Sequence, residues 1–224
     1  MPQPSPAGPF ARDPRHANLV LTRHPLLEHK VSLLRAIDTP KKVFKELVDE
    51  IAQLLAYEVT ADLPTESRTV ETPLETMEGV RVDGAGIVIV PVLRAGLGMV
   101  EGVLRLIPTA RVGHIGLQRD HDTLEPADYY FKIPPRVGDS LYIVTDPMLA
   151  TGGSASAAVS SLKRKGAADI RLMVIVAAPE GVARMAADHP EVAVYAAAFD
   201  RELNEKGYIL PGLGDAGDRL FGTE

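Results

Sequence analysis

The chain has 224 residues, 46% of them hydrophobic and 24% charged, and a formal net charge of -6. That length suits one large domain, or a domain with an appendage, and the composition is that of an ordinary globular protein. The negative balance argues against a protein whose main task is gripping nucleic acid, and the absence of cysteine excludes disulfides, thiol chemistry and cysteine metal sites.

Five prolines crowd the first residues, MPQPSPAGPFARDPRHAN, which have no apolar stretch of signal-peptide length. Residues 1–18 are therefore expected to be a flexible tail, with one domain over 19–224. No run approaches the roughly 18 apolar residues of a membrane helix, so a cytoplasmic protein without a membrane partner is expected. The segment 26–37 carries apolar residues at helical spacing. Asp38-Thr39-Pro40 resembles a cap followed by proline, opening a helix to about Tyr57 with Phe44, Leu47, Val48, Ile51, Leu54 and Leu55 on one face. Residues 66–82 alternate and are rich in Thr and Val, which predicts a hairpin arm.

From residue 85 the pattern changes. AGIVIVPV (85–92) is a continuous β-branched run, the signature of a strand covered on both faces. A helix is expected over 98–107 and a strand over 110–117, then a segment of about 20 residues without a period, as expected of a functional lid or a disordered loop. Strands over 140–145, 170–177 and 192–198 alternate with helices over 153–165 and 179–188. This alternation predicts an α/β fold, a mainly parallel sheet flanked by helices. The Gly-rich residues 199–224 are expected to form a loop-built hood.

One junction carries chemistry. In LYIVTDPMLATGGSASAAV (141–159) an apolar strand ends in Asp146, and Thr151-Gly152-Gly153-Ser154 precedes a helix. Unpaired N–H groups at a helix start, two hydroxyls and two glycines make a cradle for a phosphate monoester. A carboxylate one step nearer the strand suits the paired 2′ and 3′ hydroxyls of a ribose. Together they point to a ribose phosphate. The competing reading is an ordinary strand–turn–helix junction with Asp146 as a cap. Arg94, at another strand end in PVLRAGLGMVEG, is placed to bind diphosphate oxygens, or else to form a structural ion pair. Gly96, Gly98 and Gly102 resemble a dinucleotide turn, but their spacing is one residue too long. His16, His24, His29, His114, His121 and His189 show no metal-ligand spacing and receive no catalytic role.

YIVTDPMLATGGS resembles the ribose-phosphate motif of the type I phosphoribosyltransferases, and its Asp-Pro in place of two adjacent acids is similar to the uracil phosphoribosyltransferase family. The segments HPLLEHK, YEVTADLPTE, VLRAGLGM, RDHDTLEPADYYFKIP, VAAPEG and GYILPGLGDAGDRLFGT extend the resemblance from residue 24 to the C-terminus. It implies conversion of uracil and 5-phospho-α-D-ribose 1-diphosphate (PRPP) to UMP and diphosphate. PRPP contacts would fall on Arg94, Arg119, Asp146, Pro147, Met148, Leu149, Ala150, Thr151, Gly152, Gly153, Ser154 and Asp215. Uracil contacts would fall on Ile209, Gly214, Asp215 and Ala216. Arg94, Arg119 and Asp146 would act by electrostatics and positioning. Magnesium would be held mainly through PRPP rather than by protein side chains. A homodimer or homotetramer and a GTP activator are further implications. Two rivals are a pyrimidine-nucleotide-responsive RNA-binding regulator on the same fold, and a dinucleotide-dependent oxidoreductase using Gly96–Gly102.

Overall fold

A computed structural model describes residues 10–13, 16–82, 86–119, 126–135 and 140–223. The chain opens with strands β1 (Phe10–Asp13) and β2 (His16–Thr22), then helices α1 (Pro25–Arg35) and α2 (Lys41–Val59). A hairpin follows, β3 (Glu66–Glu71) and β4 (Thr76–Arg81). Strand β5 (Ile87–Leu93) leads through a 3-10 turn (Ala95–Met99) into α3 (Val100–Leu106). Next come β6 (Arg111–Val112), β7 (His114–Arg119), β8 (Pro126–Lys132), β9 (Leu141–Thr145) and β10 (Met148–Leu149). The remaining elements are α4 (Gly153–Arg164), β11 (Asp169–Ala177), α5 (Pro179–Asp188) and β12 (Ala193–Phe199), then β13 (Glu202–Leu203), β14 (Ile209–Leu210) and α6 (Ala216–Phe221).

The main sheet runs β1-β2-β12-β11-β9-β5-β7-β8, with β6 paired to β5 and β10 to β11. The pairs from β2 to β7 along this path are parallel, while β1 with β2 and β7 with β8 are antiparallel. Strict alternation builds two cores. On β5 and β9, Ile87, Ile89, Leu141 and Ile143 face one cluster with Leu34, Phe44, Val48 and Ile51. Their neighbours Val88, Val90, Tyr142 and Val144 face the other, with Val159, Leu162, Val182 and Met185. Strands covered on both sides need apolar residues at every position, which is why they appear as unbroken β-branched runs.

The structure departs from the sequence reading at four places. Phe10–Asp13, inside the expected tail, and His16–Thr22, which begins within its last three residues, pair into the sheet. In β2, Leu19 is fully buried between helix and strand, and five upstream prolines mask that signal. Asp38 does not cap α2. Pro40 holds the N-cap position in an extended conformation, and Thr39 Oγ1 turns back to donate to the carbonyl of Leu33. The long segment expected as a lid or a disordered loop contains β8, with Gly116 opposite Tyr130 and the Tyr129 ring lying across Gly116; residues 120–125 lie outside the described ones. The hood is not all loop, because α6 ends it, capped by Asp215. The hairpin β3–β4 pairs Glu66 with Arg81 and Glu71 with Thr76, and its side chains are mostly exposed.

Candidate active site

The backbone leaves the sheet at the carboxyl end of β9, where side chains and helix N-termini of an α/β sheet converge. Leu141 to Thr145 are buried throughout, and the N–H of Asp146 still donates to the carbonyl of Met173, at 3.2 Å. Pro147 has no N–H to continue the ladder. Its carbonyl instead accepts from the N–H groups of Ile175 and Val176, at 3.2 and 3.0 Å, and Met148–Leu149 rejoin β11. The detour turns Asp146 out of the sheet. Its Oδ1 accepts from the N–H of Met148 at 3.1 Å. Burial pushes the Asp146 carboxyl up to about 7, against the opposing pull of that hydrogen bond.

Gly152 stands at the N-cap of α4 with φ +78°, and no side chain caps the helix. A Cβ there would lie 2.9 Å from the carbonyl oxygen of Gly181. Glycine is thus required twice over, by conformation and by room. Thr151 and Ser154 flank it and are exposed. The first N–H groups of α4 therefore open outward beside two hydroxyls, an arrangement suited to an anion.

The turn after β5 closes over the same end. Thr145 Oγ1 donates to the carbonyl of Gly96 at 3.2 Å, and a Cβ on Gly96 would come within 2.3 Å of the Thr145 carbonyl oxygen. Gly98 abuts Leu220, and Gly102 abuts the backbone of Asp49. Close packing accounts for all three glycines, which removes the basis of the dinucleotide reading. The peptide Leu93–Arg94 is cis. Arg94 is more than half exposed; its Nη2 lies 3.5 Å from Asp218 Oδ1, and its guanidinium 5.8 Å from the Phe221 ring.

Between these turns and the C-terminal segment lies a cavity of about 240 Å³. Ala95, Asp146, Met148 and Ala150 form its strand side, and Ile209, Gly214, Asp215 and Ala216 form its hood side. Of the residues expected to touch PRPP, Asp146, Met148, Ala150 and Asp215 thus share one space with those expected to touch the base. Gly207, Tyr208 and Gly217 complete it and, like Ala95, were not anticipated. Tyr208 is an aromatic residue in a Gly-rich string, and its half-exposed side chain becomes apparent only in the folded chain. Pro147 and Leu149 are buried and do not line the cavity; the Leu149 side chain belongs to the core. The backbone of Arg119 ends β7, whereas its side chain lies outside the described ones.

A second cavity, of about 330 Å³, sits at the opposite edge, where β5, β9 and β11 begin at Ile87, Leu141 and Asp169. The Asp146 carboxylate and the start of α4 are at the other end of the strands; Asp146 lines the smaller space, whereas Arg94 and residues 151–154 are not part of its lining. Among the described residues no cluster of three or more His, Asp or Glu could hold a metal, and no helix is long and apolar enough to cross a membrane.

The family model described as uracil phosphoribosyltransferase matches residues 20–223. The chain belongs to the uracil phosphoribosyltransferase family. A uracil phosphoribosyltransferase of Listeria welshimeri is 55% identical, covering 93% of this chain and all of its own. One of Bacillus licheniformis is 56% identical over 90% of this chain and 96% of its own. A protein structure from Aquifex aeolicus superimposes with a TM-score of 0.86 at 37% identity, covering 92% of this chain and 99% of that one. A hypoxanthine-guanine phosphoribosyltransferase of Bacillus anthracis, 14% identical with a TM-score of 0.50 over 71% of this chain and 80% of its own, shares the fold. Nothing in these relatives supports the RNA-binding alternative.

Proposed function

We propose that the cavity between Asp146 and the hood joins N1 of uracil to C1 of the ribose of PRPP, giving UMP and diphosphate. The reading is supported by family membership and carried by one observation: a sugar-side carboxylate and a base-side main chain line the same 240 Å³ space.

Each part follows from the local chemistry. The N–H groups opening α4, with Thr151 and Ser154, take the 5′-phosphate. Asp146 takes the ribose hydroxyls. Ile209, Gly214 and Ala216 offer fixed carbonyl and N–H groups to the edge of the pyrimidine, and such a set rejects bases that leave one of them unpaired. As the C1–O bond to diphosphate breaks, positive charge develops on the ribose and negative charge on the leaving group. The N1 lone pair closes the new bond, and the N1 proton leaves to solvent or to diphosphate. Arg94 and Arg119 stabilise the departing diphosphate, Asp215 faces the sugar phosphate, and catalysis comes mainly from positioning and preorganised charge. Asp146 and Asp215 are the two carboxylates of the cavity, which suits magnesium held mainly through substrate oxygens. Bound there, magnesium supplies charge neutralisation of the diphosphate.

A homodimer or homotetramer fits the exposed hairpin, where Val70, Met77 and Val80 meet solvent. A cytoplasmic enzyme and a GTP activator remain part of the reading on the family resemblance. The test is direct: labelled uracil, PRPP and magnesium incubated with the protein yield UMP. Failure to form UMP under conditions where a relative does so would overturn the proposal.

A further inference from the structure

The base-side segment needs an external mount, because most of it is too irregular to support itself. Strands β13 and β14 pair over only two residues each, Glu202 with Leu210 and Leu203 with Ile209. Beyond them the chain passes a cis Leu210–Pro211 bond and reaches Gly212, with φ +62°. Both backbone polar groups of Gly212 are then held by side chains from distant elements. Its N–H donates to Asp200 Oδ2 at 2.8 Å, and its carbonyl accepts from Arg35 Nη1 at 2.6 Å.

Arg35 and Asp200 also clasp each other. Nη1 and Nη2 of the last residue of α1 reach Oδ2 and Oδ1 at 2.7 and 2.6 Å, a bidentate fork. The Asp200 side chain is 6% exposed, and its own N–H is tied to the carbonyl of Ala177 at the end of β11, at 2.8 Å. The carboxylate is therefore fixed to the sheet and the guanidinium to a helix, and Gly212 is locked between them. At Leu213, one residue on from Gly212, Arg219 repeats the device. It donates to the carbonyls of Leu213 and Ala36, at 2.8 and 2.6 Å, with its guanidinium 4.3 Å from the Phe44 ring centre.

We infer that Arg35 and Asp200 are positioning residues for the base: together they set where the main chain of residues 209–216 stands above the cavity. This rests on the proposed reading of that segment as the uracil site. Ile209 and Gly214 lie three residues before and two after Gly212, and both line the cavity. The phosphate cradle at 151–154 has no bond to the latch. Loosening the latch should therefore weaken recognition of the base far more than that of the sugar phosphate, to which the 209–216 segment contributes Asp215 alone. An ion pair serving stability alone would give no such asymmetry. Replacing a nearly buried ion pair with apolar groups is often neutral for stability, whereas loss of geometry at a bidentate site is specific to the group it aims.

The experiment compares wild type, Arg35→Lys and Arg35→Ala in the full chain, measuring KM for uracil and for PRPP separately. Hydrogen exchange of residues 207–217 and of 150–156 is followed in parallel. The expected result is a KM for uracil raised about tenfold or more, with KM for PRPP within about twofold. Faster exchange should be confined to the hood. Arg35→Lys keeps the charge but cannot form the fork, so it decides the matter if Arg35→Ala does not fold. The inference is overturned if both KM values move together, if neither moves, or if Arg35→Lys also fails to fold. Wild type separates the two readings: no UMP from wild type defeats the proposed function, whereas normal wild type with an unmoved KM for uracil in the variants defeats only the latch.

Discussion

Replacing Asp146 by Asn should stabilise the folded protein while damaging its activity. The folded carboxyl stands at about 7 against an ordinary value of 3.8, so the native state holds its proton more tightly than the unfolded chain. Stability from such a group is fully present below the unfolded value and is lost as pH rises through the folded one. A difference of about 3 units at about 1.36 kcal/mol each gives a ceiling near 4 kcal/mol at pH 8. Asp146 retains some exposure, and solvent reduces that figure, so a gain of about 2–3 kcal/mol is expected. Asn keeps an oxygen to accept from the Met148 N–H, and so preserves the local turn. For a chain of this length the gain corresponds to roughly 4–12 °C in Tm. Urea or thermal unfolding of both proteins from about pH 4 to pH 8 checks it. The two curves should nearly meet at the acid end and separate as pH rises. A variant that is no more stable at pH 8, or an offset independent of pH, would refute burial as the origin of the shift. The same substitution should weaken PRPP binding and turnover together, because a neutral amide holds the ribose hydroxyls less strongly.

Arg94→Ala should lower kcat by about 10²–10³-fold, the usual scale for losing one group that stabilises developing charge. Its stability should change by less than about 1 kcal/mol, since the side chain is mostly in solvent; steady-state kinetics beside a melting curve shows both. Gly152→Ala forces a Cβ to within 2.9 Å of the Gly181 carbonyl in a left-handed backbone. It should cost about 1–3 kcal/mol of stability and raise KM for PRPP while sparing KM for uracil.

The sequence made the central sheet legible because strands such as β5 and β9 are buried on both faces, and their apolar runs admit few alternatives. Asp146 and the Gly152 turn were legible for a different reason: residue types with specific physical uses stood at a strand end. What stayed hidden was set by tertiary contact. Strand β2 pairs with β12, nearly 180 residues away, and no local pattern in a Pro-rich stretch announces that pairing. Strand β8 is interrupted by charged and aromatic residues, so its period is lost. Tyr208 and the clasp of Arg35 on Gly212 depend on how the last 25 residues fold back over α1, which spacing does not encode.

A crystal structure with bound UMP is the most direct test of the central claim. The phosphate should rest on the 151–154 turn, the ribose hydroxyls on Asp146 and the pyrimidine edge on the main chain of 209–216. Nucleotide found instead in the cavity at the start of β5, β9 and β11, with the turn at α4 vacant, would contradict the account.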